Sequence, residues 1–234
     1  RARKIAAIRS FYKYLTSTAK LISETPMQDL DSPRLKKSLP RYLSLDESIQ
    51  LLEAVDEPNQ ARDYCILTLF LNCGLRISEL VSLNTTDVRE EQLRVLGKGN
   101  KERMIFLNEA CRAALDDWLE ERSRQAAADP NALFLTRTHT RMTKDAVHYM
   151  VKQRLKKAGL DASLYSSHKL RHTAATLMLQ NGVDVRTLQE VLGHENLNTT
   201  QIYTHVDNEN LRSAAKANPL GRMKKKSTPN PPGK

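Results

Sequence analysis

Three side chains with reactive nitrogens, His168, Arg171 and His172, stand at i, i+3 and i+4 of a helix expected to open near Ser167. Arg171 and His172 so spaced project within about 60° of His168, one on each side of it. Near a helix N-terminus they share their patch with unpaired backbone N–H groups and the positive end of the helix dipole, a natural seat for phosphate. Arginine suits that seat because its planar fork holds two oxygens at once and stays charged. The same segment also reads as a surface arginine flanked by two histidines at the edge of a core. The histidine pair has the i,i+4 spacing of a zinc site. Lys169 follows the first histidine where the metalloprotease motif has Glu, and its charge opposes a cation, so a zinc hydrolase would explain the pair and nothing else.

Further groups lie elsewhere in the chain. Arg76 follows the helix-ending Gly74, and Glu79 stands at i+3 on the next helix, where its carboxylate can orient the guanidinium or simply form a buried ion pair. Lys98 sits between Gly97 and Gly99 at a hairpin tip, free to swing into a ligand groove or to remain a solvated turn lysine. The flanking glycines permit close backbone approach to a nucleic acid. His194 follows Leu192-Gly193 at a helix C-terminus, where the dipole favours its protonated form. Tyr203, between Ile202 and Val206, fits an ordinary core position as well as a nucleophile.

Most of the elements that must place these groups are helical. Ile5, Ile8, Tyr12 and Leu15 recur at helical spacing over residues 3–18. Pro26, Pro33 and Pro40 punctuate an extended linker over residues 22–40. Ser44 and Glu47 form a capping box that opens the main domain. Residues 63–72 read as a helix buried nearly all round, and residues 78–83 as a short one. Residues 93–96 and 104–107 alternate as the two strands of a hairpin. Asn108 caps a helix whose stripe is Cys111, Ala114, Leu115, Trp118 and Leu119. Thr143 caps another that ends at Gly159, with Lys152, Arg154, Lys156 and Lys157 on or near its exposed side. Ser166 or Ser167 caps the helix of His168, and it stops at Asn181-Gly182. Asp184 caps a short helix closed by Gly193, and Asn198 or Thr199 starts the next. The fold class expected is mainly α with a small antiparallel β-sheet.

The 234 residues carry 37 Lys and Arg against 27 Asp and Glu, a net charge of +10 that favours a polyanionic partner. With 40% hydrophobic and 27% charged residues, collagenous, mucin-like and wholly disordered classes are excluded. No apolar run approaches the roughly 18 residues of a membrane span. Three cysteines, Cys65, Cys73 and Cys111, lie in helical patterns rather than in close pairs, and reduced thiols in the cytoplasm are expected. Because Arg1 is followed at once by a helical pattern, the chain is expected to begin inside a longer protein.

Taken together, His168-Lys169-Leu170-Arg171-His172, then Leu192-Gly193-His194, then Tyr203 after Thr199-Thr200, resemble the C-terminal signature of the tyrosine recombinase (phage integrase) family. Residues 68–80, Thr-Leu-Phe-Leu-Asn-Cys-Gly-Leu-Arg-Ile-Ser-Glu-Leu, resemble its first arginine motif. The likeness spans residues 41–217 and looks closest to the Xer-like branch. It implies the fold of that family's catalytic domain, with residues 1–21 the last helix of a truncated core-binding domain and residues 218–234 a basic flexible tail. It also implies an active site of Arg76, Lys98, His168, Arg171, His194 and Tyr203, with Glu79 and His172 behind it. Arg76 and Arg171 would clamp the scissile phosphate, Tyr203 would attack it and Lys98 would protonate the departing 5′-hydroxyl, with no metal or other cofactor. The implied partners are double-stranded DNA with paired recombination sites and a homo- or hetero-tetramer on it, without a membrane, in the cytoplasm on the nucleoid. Residues 208–217 are then expected to be a helix that docks either into a neighbouring subunit or onto its own domain. A noncatalytic DNA-binding regulator reading DNA with residues 185–205 is the alternative.

Overall fold

The computed structural model describes residues 2–28, 30, 41–56, 59–97, 102–193 and 208–223. The chain divides into two compact units, Arg1–Pro40 and Arg41–Lys234. In the first, α1 (Ala2–Ser17) has the expected amphipathic pattern, yet Ile8, Phe11 and Tyr14 remain exposed because a single helix has little to bury them against.

The second unit begins with α2 (Leu45–Glu53), where Ser44 accepts from the Glu47 N–H and Glu47 accepts from the Ser44 N–H. Its centre is α3 (Gln60–Cys73), a helix buried along its whole length and packed against both α5 (Glu109–Ser123) and α7 (Ser167–Gln180). Burial makes polar partners valuable here, although the Tyr64 and Thr68 hydroxyls have none among the described residues. Asn72 donates to the Thr68 carbonyl at 3.0 Å and accepts from Asn108 at 2.9 Å. Asp63 accepts from Arg62 and, at 2.9 Å, from Arg154 of α6 (Lys144–Lys157). Arg154 therefore turns inward to Asp63 and Asp56 rather than lying on the exposed side, because a buried carboxylate needs a cation.

After α4 (Ile77–Ser82) the chain forms an antiparallel sheet in the order β1 (Val88–Arg89), β2 (Gln92–Leu96), β3 (Glu102–Phe106). The two-residue strand β1 escapes sequence patterning because it is too short to show alternation. In the β2–β3 register Val95 lies opposite Arg103 and Leu93 opposite Ile105. Asn108 caps α5 by accepting from Cys111 N–H, and Trp118 stacks on Phe134 in the core. The three cysteines are free and buried.

Thr143 caps α6 as expected, whereas Ser166 precedes α7 without a side-chain cap and the hydroxyl of Ser167 faces His148 Nδ1 instead. Asp184 caps α8 (Val185–Leu192). Helix α9 (Asn208–Ala217) packs on its own domain, with Ala214 buried against a cluster formed by Met178, Val183, Leu188 and Leu192. Residues 218–223, expected to open a flexible tail, are folded onto the domain. Residues 218–223 make a tight turn in which Asn218 accepts from Leu220 N–H and donates to the Leu71 carbonyl, and Leu220 is fully buried in the main core. Patterning misses this turn because a single leucine among polar and glycine residues has no period. Among the described residues, no helix is long and apolar enough to cross a membrane.

Candidate active site

Two glycines in left-handed conformation bring the charged groups together. Gly74, at φ +59°, ends α3 and turns the chain into Leu75 and Arg76. A Cβ there would lie 2.6 Å from Leu192 Cδ2, so only glycine lets the ends of α3 and α8 approach this closely. Gly193, at φ +63°, closes α8, and a Cβ on it would meet Arg103 Nη1 at 3.0 Å.

Between these turns lies one carboxylate. Glu79 is 2% exposed and stands three residues into α4, from where it reaches back to accept the Arg76 backbone N–H at 2.8 Å. Arg76 Nη1 donates to its Oε1 at 2.7 Å. Arg103, on β3, spans both oxygens, with Nη1 at 2.8 Å from Oε1 and Nη2 at 3.0 Å from Oε2. Arg171, on α7, places Nη1 4.0 Å from Oε2. Glu79 thus sits at the centre of three guanidinium groups, and the formal charge of the cluster is positive.

The same arginines clasp the end of α8. Arg171 donates to the Gly74 carbonyl and, at 2.7 Å, to the Leu192 carbonyl, while Arg76 Nη2 donates to the Gly193 carbonyl at 2.9 Å. Cations at a helix C-terminus satisfy its orphan carbonyls and complement its dipole. The chain enters residue 194 directly from this clasp.

Burial pushes the Glu79 carboxyl upward in pKa, and the hydrogen bonds from Arg103 and Arg76 more than offset it, leaving the group below its ordinary value. Burial, with Arg76 close by, pushes the Arg171 guanidinium down to about 10, which leaves it charged at neutral pH. Arg171 is 5% exposed, whereas the Arg76 side chain is 36% exposed and opens part of its fork to solvent. An anion with two oxygens, such as a phosphodiester, matches a guanidinium fork so presented.

Arg76, Glu79 and Arg171, singled out from the sequence, therefore meet. His168 is exposed on the first turn of α7, and His172 is half-buried with its ring edge-on to Tyr42, centroids 6.3 Å apart. Burial, with Lys169 and His168 nearby, lowers the His172 pKa. Lys98, His194 and Tyr203 lie outside the described residues, as does the helix start expected at Asn198 or Thr199. Sequence reasoning passes over Arg103. Its signal is the alternation of β3: Arg103 shares a strand face with the buried Ile105, and a charge at an inward position demands a buried partner.

Residues 41–210 match the phage integrase family. The chain is 55% identical over 223 residues to the tyrosine recombinase XerC of Caldanaerobacter subterraneus, covering 95% of this chain and 63% of that protein's length. Among solved structures it is similar to the XerA recombinase, with 33% identity and a TM-score of 0.64 over 94% of this chain and 75% of that one. It is also similar to the XerH site-specific recombinase bound to its difH substrate before cleavage, with 31% identity and a TM-score of 0.61 over 76% of this chain and 55% of that one. The expected fold, mainly α with a small antiparallel sheet, is that of these catalytic domains.

Proposed function

The chain belongs to the phage integrase family, and from that premise we propose that it is the catalytic part of a tyrosine-type, Xer-like site-specific recombinase, which cuts and rejoins DNA through a covalent 3′-phosphotyrosyl intermediate. The observation that carries the reading is the meeting of Arg76 and Arg171 over the buried Glu79, at the turn that leads into His194. A noncatalytic regulator would use the net charge of +10 but has no need of a carboxylate-centred arginine cluster.

In this reading Arg76 and Arg171 hold the nonbridging oxygens of the scissile phosphate and stabilise the charge that develops there, and His194 adds a hydrogen bond to the pentavalent transition state. The Tyr203 hydroxyl is a weak nucleophile, with a free pKa of about 10, so proton removal, assisted by His168, accompanies its attack on phosphorus. The bond from phosphorus to the 5′-oxygen breaks, Lys98 gives that oxygen a proton, and Tyr203 remains joined to the 3′-phosphate. A 5′-hydroxyl from another strand reverses the step. Because the phosphotyrosyl bond keeps the energy of the broken linkage, exchange proceeds without ATP, and two arginines stand where a metal ion serves other phosphoryl-transfer sites.

Residues 41–223 form the catalytic domain in this proposal, residues 1–21 the last helix of a core-binding domain, and residues 22–40 the linker. The substrate is double-stranded DNA with paired recombination sites, bound by a homo- or hetero-tetramer at the nucleoid. The likeness to a recombinase captured on its difH substrate and the positive charge support such a partner.

The test is denaturing-gel trapping of a covalent protein–DNA adduct on nicked suicide substrates, in EDTA, with wild type beside Tyr203→Phe. The adduct is expected with wild type alone. An adduct of equal yield with Tyr203→Phe, or none with a longer protein that carries the complete core-binding domain, overturns the reading.

A further inference from the structure

Arg103 belongs to none of the roles assigned above, yet its side chain alone spans both oxygens of Glu79. Its two terminal nitrogens take both carboxylate oxygens at 2.8 and 3.0 Å, whereas Arg76 offers Glu79 one side-chain nitrogen and Arg171 stands 4.0 Å away. Its side chain is only 16% exposed, against 36% for Arg76, so it is the less accessible of the two to an incoming phosphate. It also packs on Gly193, whose lack of a Cβ admits Arg103 Nη1, Cδ and Cζ.

On the strength of the phosphoryl-transfer reading above, we infer that Arg103 is a positioning residue for the reaction: by occupying both oxygens of Glu79 and bracing Gly193, it limits the pull of Glu79 on Arg76 and Arg171 and holds the turn that closes α8. The physical reason is competition for one carboxylate. A buried anion draws every cation within reach, and without a bidentate partner Glu79 would pull the Arg76 fork, and Arg171 behind it, away from the ligand. Arg103 also stands on the strand that follows the Lys98 turn. Its pair with Glu79 therefore ties the strand that follows the proposed acid to the helix that Arg76 precedes.

A residue that acts only by filling space would not alter a titration. The groups facing Glu79 are Arg76 from its own helix, Arg103 from β3 and Arg171 from α7. Removing Arg103 takes away the largest influence holding the carboxyl down while its burial remains, so Glu79 should titrate at higher pH. Once protonated, it no longer draws Arg76 toward it.

The experiment compares wild type, Arg103→Met and Arg103→Lys in the 234-residue chain. Two readouts are the pH profile of adduct formation and the Glu79 carboxyl titration by NMR with 13C-labelled glutamate, the resonance being assigned with Glu79→Gln. Misplacement on the scale of 1 Å costs about 10²-fold in rate. Arg103→Met is expected to lose about that much adduct-forming rate at neutral pH with little change in DNA affinity, to regain part of it as pH falls through the Glu79 midpoint, and to show that midpoint raised. Arg103→Lys, which keeps the charge but not the fork, should fall between the two. A Glu79 midpoint unchanged in Arg103→Met overturns the inference, as does an adduct rate within about threefold of wild type when weighed against the 10²-fold scale. If the 234-residue wild type forms no adduct, the longer protein decides the recombinase reading, and the Glu79 midpoint alone decides the part played by Arg103.

Discussion

Replacing Glu79 by Gln tests the carboxylate at the centre of the cluster at nearly constant volume. Glu79 accepts four hydrogen bonds from Arg76 and Arg103, and an amide offers one acceptor oxygen and turns two donors toward guanidinium groups. Removing one partner of a buried ion pair costs about 3–5 kcal/mol. In a domain of this size each kcal/mol moves Tm by roughly 2–4 °C, so Tm should fall by about 6–20 °C at neutral pH. The pH dependence has a definite sign. The folded-state pKa of Glu79 lies below its ordinary value of 4.5, so its contribution is complete above that value and is lost as pH falls through the folded-state pKa. The gap between wild type and Glu79→Gln should therefore be full at neutral pH and narrow below about pH 4.5. Inorganic phosphate should restore more Tm to the variant, whose cluster has lost its one anion. Thermal unfolding followed by circular dichroism across pH, with and without phosphate, measures all three. A Tm within about 2 °C of wild type at neutral pH, or a gap that widens toward acid, would refute the account of a carboxylate that organises the arginines.

Gly74→Ala should cost about 1–2 kcal/mol for the left-handed backbone and about 1–3 kcal/mol more for the overlap with Leu192, while Gly182→Ala, at φ +88° with no atom within 4 Å of the added Cβ, should incur the backbone cost alone. Equal losses in urea unfolding would show that the approach of α3 to α8 is not tight. Lys98→Ala should form adduct slowly on an ordinary substrate and recover in part on one whose leaving group needs no proton, because only the acid has been removed. Failure of that rescue would make Lys98 a binding residue.

Local chemistry was legible without coordinates. Ser44 with Glu47, Asn108, Thr143 and Asp184 cap helices through groups two or three residues away, and Gly74, Gly182 and Gly193 adopt the positive φ that sequence position alone suggests. The stripe of α5 and the hairpin follow from periodicity, and the pairing of Arg76 with Glu79 follows from i,i+3 spacing. Ser166 was the exception among the caps, since α7 begins without its hydroxyl.

What the amino-acid sequence determined by itself, then, was most of the described helices and their ends, the strands of the hairpin and the pairing of Arg76 with Glu79, all of which rest on interactions between near neighbours in the chain. Tertiary structure decided the rest. Arg103 gains its meaning from Glu79, Arg154 turns inward for Asp63, α9 covers Met178 and Leu192, and Leu220 fills the core beneath what reads as a tail. Each of these depends on a buried charge or apolar surface supplied from a distant segment. Pattern along the chain shows only what a residue needs, and packing decides which distant group supplies it.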